Sequence, residues 1–347
     1  MELMSLFKDK TNVDRANWIF DPPAQTKCSA DFDDSTLINE AEVHLCSGSH
    51  WLRFFHLFYP EASTFLDIGM NRGYWAADVF AIWRPSLGLN PRSLFMDGFS
   101  ITQGGYCGWC GDCLSSESSY FHDTLPIPNF KVYGFEASRD LVRHWEINTK
   151  TAMSEDVRRE WEVIHSAVSD LPGGTVMFPN GQDEAQSISR EGADSLLPSS
   201  TRTAEMIKVD NTNVDEFVKV RSLDHIDFMK IDVNGHDLSV LRGSMGSIMA
   251  NKIKGLIFEF TSPPLADWLT HKLSDAIGML NEGGMTCYLM GDKKLVRLTG
   301  CFAEDHDTPF DVPTTFNAMC VSRRVERGAA LIELLDVHTV NRMKNHL

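Results

Sequence analysis

Short apolar runs alternate with longer segments of helical spacing along most of the chain. Seven such runs, each five or six residues long, are rich in Val, Ile, Leu and Phe. Strands that alternate with helices form right-handed βαβ units and a mostly parallel sheet. The pattern therefore predicts a single doubly wound α/β domain. The runs lie at 64–68, 131–135, 162–166, 228–232, 255–260, 285–290 and 316–321.

The segments outside this alternation predict the boundaries of the domain. Residues 1–62 have the spacing of a mostly helical N-terminal extension and 324–347 that of a C-terminal helix, which leaves 63–323 for the α/β domain. Two stretches inside the domain interrupt its rhythm. Residues 85–128 are rich in Gly, Ser and Pro and predict an insert, whereas 170–226 predict an added hairpin or small lid.

The charge balance and the hydropathy of the chain indicate which classes of partner and which location to expect. Its 347 residues include 48 Asp and Glu against 32 Lys and Arg, a net charge of −16 that disfavours nucleic acids and anionic membranes. No stretch approaches the roughly 20 apolar residues that span a bilayer, and the N-terminus lacks the features of a signal peptide. We therefore expect no nucleic-acid partner, no membrane span and a cytoplasmic location. Eight cysteines, five of them scattered singly, do not indicate a disulfide framework in a chain of this length.

The first predicted strand runs directly into a glycine-containing turn. Gly69 and Gly73 follow the strand and precede a predicted helix, a setting in which backbone N–H groups and a helix N-terminus approach a ligand closely. The spacing is Asp-x-Gly-x-Asn-x-Gly, and the dinucleotide fingerprint G-x-G-x-x-G is absent. This absence disfavours a nicotinamide-dependent dehydrogenase. The alternative is a tight turn between strand and helix that binds nothing.

Glu136 ends the second predicted strand, the position from which a carboxylate binds the hydroxyls of a ribose in Rossmann-like sites. Such a carboxylate normally lies about 20 residues beyond the glycine turn. Glu136 lies 63 positions after Gly73, but only 19 once the 44-residue insert 85–128 is left out. This spacing supports a ribose-binding role, and the alternative is an exposed carboxylate at the strand end.

Several short motifs together resemble the FkbM-type S-adenosylmethionine-dependent methyltransferases. They occur in the family's order over about 64–321, and the most specific is Lys-Ile-Asp-Val-x-Gly followed by Val-Leu-Arg-Gly. The resemblance implies a class I methyltransferase fold, a seven-stranded Rossmann-like sheet with helices on both faces. It also implies methylation of hydroxyl groups on sugars or natural products. The motifs are 67–73, 135–136, 167–170, 226–235, 240–243 and 257–260.

The resemblance also implies a role for each matching position, and the converging carboxyl ends of parallel strands support the same arrangement. Glu136 would bind the ribose of S-adenosylmethionine, and Ala167 with its neighbours would line the adenine. Asp232 would lie close to the sulfonium and to the acceptor. The methionine end would be framed by Asp67, Gly69, Asn71 and Gly73.

One position departs from the family pattern. Where the family has Glu in Asp-Val-Glu-Gly, this chain has Asn234, whose amide cannot accept a proton at neutral pH. Methyl transfer to a hydroxyl requires a group that removes the hydroxyl proton. The candidates are Asp232, His236 and Glu259, histidine being the side chain that titrates nearest to neutrality. The alternative for His236 is that it only begins the following helix.

A cluster of cysteines lies in the insert. Cys107, Cys110 and Cys113 form two successive C-x-x-C steps, which brings three thiolates within reach of one ion. We therefore predict a structural Zn²⁺ site, the alternatives being a redox-labile dithiol or inert free thiols. Because the insert joins a helix to the next strand, it is expected at the end of the sheet opposite the ligand cleft. The candidates for the fourth ligand are His122, Cys28 and Cys46.

Two functions from different classes are consistent with these features. The first is an O-methyltransferase that uses S-adenosylmethionine on a small-molecule or glycan acceptor. The second is a catalytically inactive methyltransferase-like binding or scaffold protein with a structural metal knuckle, which Asn234 and the cysteine-bearing insert motivate. Cofactor binding without turnover would separate the second function from the first.

Overall fold

The computed structural model describes six ranges of the chain, namely 41–43, 51–89, 127–180, 205–262, 266–301 and 314–340. The cysteine cluster at 107–113 lies outside the described residues, as do the three candidates for a fourth zinc ligand. The Zn²⁺ site therefore stays a prediction, and so do the domain boundaries.

Helices and strands alternate along the described residues, as the apolar pattern predicts. The helices are α1 (Leu52–Phe58), α2 (Tyr74–Trp83), α3 (Arg139–Ala152), α4 (Glu155–Glu160), α5 (Val214–Val220), α6 (Asp237–Arg242), α7 (Met245–Met249), α8 (Leu273–Glu282) and α9 (Gly328–Val337). The strands are β1 (Thr64–Ile68), β2 (Lys131–Glu136), β3 (Trp161–His165), β4 (Ala167–Val168), β5 (Thr175–Asn180), β6 (Glu205–Thr212), β7 (Ile226–Ile231), β8 (Ile253–Ser262), β9 (Met285–Met290), β10 (Leu295–Arg297) and β11 (Thr314–Ser322).

The larger sheet has eight strands in the order β10-β9-β11-β8-β7-β1-β2-β3. The strands from β8 to β3 pair in parallel, whereas β11 pairs antiparallel with both of its neighbours and β10 pairs antiparallel with β9. The Rossmann-like α/β class is therefore confirmed, but the expected number of seven strands is wrong. The additional strand is β10, whose three residues are too few to form a recognisable apolar run.

Helices cover both faces of this sheet, which explains why its central strands are apolar almost throughout. On one face, α5, α6 and α8 pack around Met229 of β7. On the other face, α1, α2 and α9 pack around Phe228 of the same strand. Successive residues of a strand point to opposite faces, so β7 contributes to both cores. The central strands are thereby fixed in position, and their carboxyl ends form a rigid edge.

A smaller sheet of three strands, β4-β6-β5, lies beside the end of β3. Its strands β5 and β6 form an antiparallel pair within the segment 170–226, in which Phe178 is opposite Ile207. These two side chains and Val209 pack against Ala137 and Ala167 in a separate apolar cluster. The pair therefore attaches to the carboxyl edge of the large sheet through its inner face.

The cysteines differ from the sequence-based expectation. Cys287 of β9 and Cys320 of β11 form a disulfide, and Cys301 is disulfide-bonded as well. All three cysteines within the described ranges are thus disulfide-bonded. For these three cysteines, the expectation that the chain has no disulfide framework is wrong. Strand register brings Cys287 opposite Cys320, although 33 positions separate them. Because disulfides are typical of oxidising compartments, they favour such a compartment over the cytoplasmic location, which stays a prediction.

Two further structural observations bear on ligands and location. Within the described ranges, no His, Cys, Asp and Glu side chains come together in a group of three or more suited to a metal ion. None of the helices in that part of the chain is long and apolar enough to cross a membrane.

Candidate active site

A cleft opens at the carboxyl ends of β1, β2, β3 and β7. It encloses about 630 Å³ of space, including its mouth to solvent. Its lining includes Asn71, Glu136, Ala167 and Asp232, so the structure brings together the strand ends that the sequence singles out. This is the edge at which open α/β sheets bind their ligands.

The turn after β1 closes one side of the cleft in a backbone conformation that favours glycine. Gly69, Asn71 and Gly73 all have positive φ values, of 76°, 55° and 92°. A Cβ atom on Gly69 would lie 1.8 Å from the carbonyl oxygen of Asp232, and one on Gly73 would lie 2.4 Å from the ring of Trp161. Both glycines are therefore required for close packing of the turn against its neighbours.

Glu136 is held at the centre of the cleft by two backbone donors. Its Oε2 accepts a hydrogen bond of 2.8 Å from the N–H of Asn71, and its Oε1 accepts one of 2.7 Å from the N–H of Ser138. Burial raises the pKa of Glu136 to about 7, although these two hydrogen bonds act in the opposite direction. Each carboxylate oxygen has a second lone pair, so Glu136 is oriented to accept further hydrogen bonds from a ligand.

The end of the cleft beyond Glu136 is apolar. Ala137, Ala167 and Phe178 line it together. Phe178 comes from β5, is only 6% exposed, and was not among the residues predicted from the sequence. Its only sequence signal is the short apolar run 175–178, which does not reveal that the hairpin packs onto the cleft. An apolar, aromatic wall of this kind suits a flat heterocyclic base.

Asp67 is fully buried beneath the turn. Both of its carboxylate oxygens lack a well-formed hydrogen bond within the described residues. The pKa of Asp67 is raised to about 6, chiefly by burial, with Lys230 acting to lower it and Asp232 acting to raise it. An orphaned buried carboxylate is costly unless a positive charge compensates for it. Lys230 of β7, in register with Asp67, supplies part of that charge, and Asp67 itself does not line the cleft.

Asp232 follows β7 and forms an ion pair with Lys230, whose Nζ lies 2.9 Å from its Oδ2. The backbone turns back immediately afterwards, because Asn234 and Gly235 both have positive φ values and the N–H of His236 donates to the carbonyl of Val233. This is the geometry of a type I′ turn, which strongly prefers Asn-Gly. The departure from the family at Asn234 thus fits its backbone conformation.

The other two candidates for a base do not line the cleft. His236 is only 3% exposed, and its Nδ1 lies 3.4 Å from Oδ1 of Asp267. Glu259 lies in β8, where its N–H donates to Asp237, and burial together with Asp232 and Asp237 raises its carboxyl pKa well above the usual value. The geometry favours Asp232 as the proton acceptor, and the roles of all three residues stay predictions.

The strand order, the glycine turn and the carboxylate at the end of β2 are those of a Rossmann-like domain. The sequence profile described as the Methyltransferase FkbM domain matches residues 110–284, which is more than half of the 347 residues. The chain therefore belongs to the FkbM methyltransferase family, as its motifs predict. The family implies S-adenosylmethionine as the methyl donor.

Solved structures of low sequence identity resemble the chain. Methyltransferase FkbM from Methylobacillus flagellatus KT is 12% identical with a TM-score of 0.38, and the match covers 75% of this chain but 44% of that one. Precorrin-6y C5,15-methyltransferase from Geobacter metallireducens GS-15 is 8% identical with a TM-score of 0.32, covering 77% and 87% of the two chains. Aeropyrum pernix fibrillarin, in complex with S-adenosyl-L-methionine, is 12% identical with a TM-score of 0.31, covering 78% and 74%. No curated protein sequence matches the chain.

Proposed function

We propose that the protein transfers a methyl group from S-adenosylmethionine to a hydroxyl of a sugar or a small natural-product-like acceptor. The observation that carries this proposal is the Glu136 carboxylate, which two backbone N–H groups orient within the cleft. A carboxylate at the end of the second strand, with lone pairs still directed at the cleft, is the group that binds a ribose diol.

The residues around the cleft fit the methyl donor. Ala137, Ala167 and Phe178 provide an apolar wall for the adenine next to Glu136. The Asp232 carboxylate provides negative charge for the sulfonium, and the absence of a side chain at Gly69 leaves the turn close to β7. When bound, S-adenosylmethionine supplies a methyl group on a positively charged sulfur that is a good leaving group.

Asp232 lines the cleft and is our candidate for the proton acceptor. Its carboxylate would take up the proton that the acceptor hydroxyl releases on methylation, and bound S-adenosylmethionine would supply the methyl group. A positioned base of this kind contributes about 100- to 10,000-fold to the rate. Alignment of the acceptor in the cleft contributes in addition, because it removes the entropy cost of the encounter.

The surroundings of Asp232 support a hydroxylated acceptor. Asn234 lines the cleft beside it, so a carboxylate and an amide are both available to an acceptor on this side. Such groups are hydrogen-bond partners for hydroxyls. The net charge of −16 disfavours an anionic acceptor, which leaves neutral sugars and small polyhydroxylated molecules as the preferred class.

Two measurements test the proposal. Titration calorimetry with S-adenosylmethionine and S-adenosylhomocysteine should show binding of one equivalent of each. Donor labelled in the methyl group should then transfer label to at least one member of a panel of sugars and phenolic or aliphatic alcohols, with release of S-adenosylhomocysteine. Binding without transfer to any hydroxyl in the panel or in a cell extract would instead support the binding or scaffold function. Failure to bind either ligand would contradict both.

A further inference from the structure

Lys230 is a charged residue near the carboxyl end of β7, a strand whose other charged residue, Asp227, lies near its amino end. Lys230 lies in register with Asp67 of β1 and with Ile257 of β8, and its side chain is 20% exposed. A lysine that is largely removed from water is unfavourable unless an opposite charge compensates for it. Its Nζ lies 2.9 Å from Asp232, so the compensating charge sits at the edge of the cleft.

Three further carboxyl groups interact electrostatically with Asp232 of this ion pair. Burial raises the pKa values of Asp67, Asp237 and Glu259, and the negative charge of Asp232 raises each of them further. Lys230 has the opposite effect on Asp67 and Glu259. Raised pKa values favour the neutral, protonated forms of these three groups, so Asp232 is the carboxylate whose negative charge faces the cleft, and the Lys230 ammonium at 2.9 Å offsets part of it.

We propose that Lys230 sets the relative affinity of the protein for the charged methyl donor and for its neutral product. The inference rests on the proposed function, because the two ligands are S-adenosylmethionine and S-adenosylhomocysteine, which differ by one methyl group and one positive charge. The Asp232 carboxylate attracts the sulfonium, and the Lys230 ammonium opposes that attraction while it holds Asp232 at the cleft edge. Lys230 is thus a positioning residue that limits the preference for donor over product.

The competing explanation is that Lys230 only stabilises the fold. A second ion pair offers a matched control, because it joins the amino end of β7 to the neighbouring strand β8. Nζ of Lys254 lies 2.5 Å from Oδ1 of Asp227, whose side chain is buried at the amino end of β7. Removing either lysine breaks an ion pair with a residue of this segment and is expected to lower stability. Only the Lys230 pair lies at the cleft, so only its removal should change the relative affinity for the two ligands.

The experiment compares wild type, K230M, K230R and K254M by titration calorimetry with both ligands at pH 8, and records their melting temperatures. The ratio of donor affinity to product affinity should rise about tenfold in K230M, since the positive charge that offsets the Asp232 carboxylate from 2.9 Å is removed. The ratio should stay within about twofold of wild type in K230R and K254M. Asp232→Asn should lower the ratio, and combining it with K230M should return the ratio toward wild type.

The outcomes separate this inference from the function on which it rests. An unchanged ratio in K230M, with both ligands still bound, overturns the inference and leaves the proposed function intact. The same applies if K254M changes the ratio as much as K230M does. If K230M does not fold, Lys230→Gln carries the same expectation and decides the matter. Wild-type protein that binds neither ligand overturns the proposed function, and the inference with it.

Discussion

The two halves of the large sheet differ in how completely their polar groups are satisfied. At the carboxyl ends of β7, β1, β2 and β3, the chain has left-handed turns, an orphaned carboxylate at Asp67, and a cleft. The half formed by β11, β9 and β10 contributes no residue to the lining of that cleft. There, all six residues of β9 are buried and a disulfide joins it to β11.

This difference indicates that the two halves have separate tasks. Unsatisfied polar groups and strained turns reduce stability, and they persist where a ligand uses them. A fully buried antiparallel strand with a covalent cross-link contributes stability without offering a binding surface. Changes in the first half should therefore alter binding and turnover with little effect on unfolding, and changes in the second half should do the reverse.

The largest effect is expected at Asp232. Asp232→Asn keeps the size of the side chain but removes the proton acceptor, so turnover should fall about 100- to 10,000-fold. The change also removes the ion-pair partner of Lys230, but the pair is partly exposed to solvent, so the melting temperature should fall by only a few degrees. Rates of label transfer and thermal unfolding measure the two quantities. Retained turnover together with lost stability would show that Asp232 is structural and would break the comparison.

The next largest effect is expected at the disulfide. Cys287→Ala combined with Cys320→Ala should lower the free energy of unfolding by about 3–4 kcal/mol, because the bond closes a loop of 33 residues in the unfolded chain. Cofactor affinity at 25 °C should remain within twofold of wild type. Denaturant unfolding and calorimetry test the two statements, and a selective loss of affinity would contradict the division between the halves.

Glu136→Gln should lower cofactor affinity about 10- to 100-fold. The amide keeps the shape of the carboxylate, but it removes a charge-assisted hydrogen bond and turns an N–H group toward the donor of Asn71 or Ser138. Glu162→Gln is the matched control, since Glu162 lies on the adjacent strand β3 and pairs with Arg221 at the surface. Equal affinity in both variants would exclude the ribose-binding role of Glu136.

The pH dependence of binding is a second test of the ribose-binding role of Glu136. The pKa of Glu136 is raised to about 7 by burial, and hydrogen bonds from a ribose favour its charged form and lower that pKa in the complex. Affinity should therefore rise as pH increases toward the raised pKa, and then level off. We expect a gain of about tenfold between pH 6 and pH 8 for S-adenosylhomocysteine. Calorimetry over this range should show a flat profile for Glu136→Gln.

The smallest effect is expected at Phe178. Phe178→Leu keeps the apolar contact with the hairpin but removes ring stacking, so cofactor affinity should fall about threefold to tenfold. Met177→Leu is the control, because Met177 precedes it on the strand, points to the opposite face and is 40% exposed. If the two variants bind adenosine-containing ligands equally well, Phe178 does not contact the base.

Local sequence rules were sufficient to predict the turn and the strand end that line the cleft in the half formed by β7, β1, β2 and β3. The turn from β1 into α2 is specified by Gly69 and Gly73, and the spacing to Glu136 follows from ordinary βαβ geometry once the insert is removed. Both features depend on backbone conformation within one βαβ unit, which is why a sequence pattern can predict them.

The features that were missed depend on contacts between distant parts of the chain. The hairpin that brings Phe178 to the cleft packs against Ala137 and Ala167, and its short apolar runs do not specify that partner. Cys287 and Cys320 meet only because β11 enters the sheet beside β9. Register between strands arises from tertiary packing, so neither contact has a local sequence signal.

The position of β11 also determines the order in which the strands of the large sheet can assemble during synthesis. It lies between β8 and β9 in the sheet, although it follows both of them in the chain. During synthesis β9 therefore leaves the ribosome before the strand that joins it to the rest of the sheet exists. Until β11 (Thr314–Ser322) has been made, β9 can pair only with the three-residue strand β10. The pair β9–β10 therefore stays detached from the rest of the sheet during this time. The half formed by β7, β1, β2 and β3 can assemble first. A chain that stopped before β11 would be expected to keep the carboxyl edge that forms the cleft, and to expose the apolar strand β9, which favours aggregation.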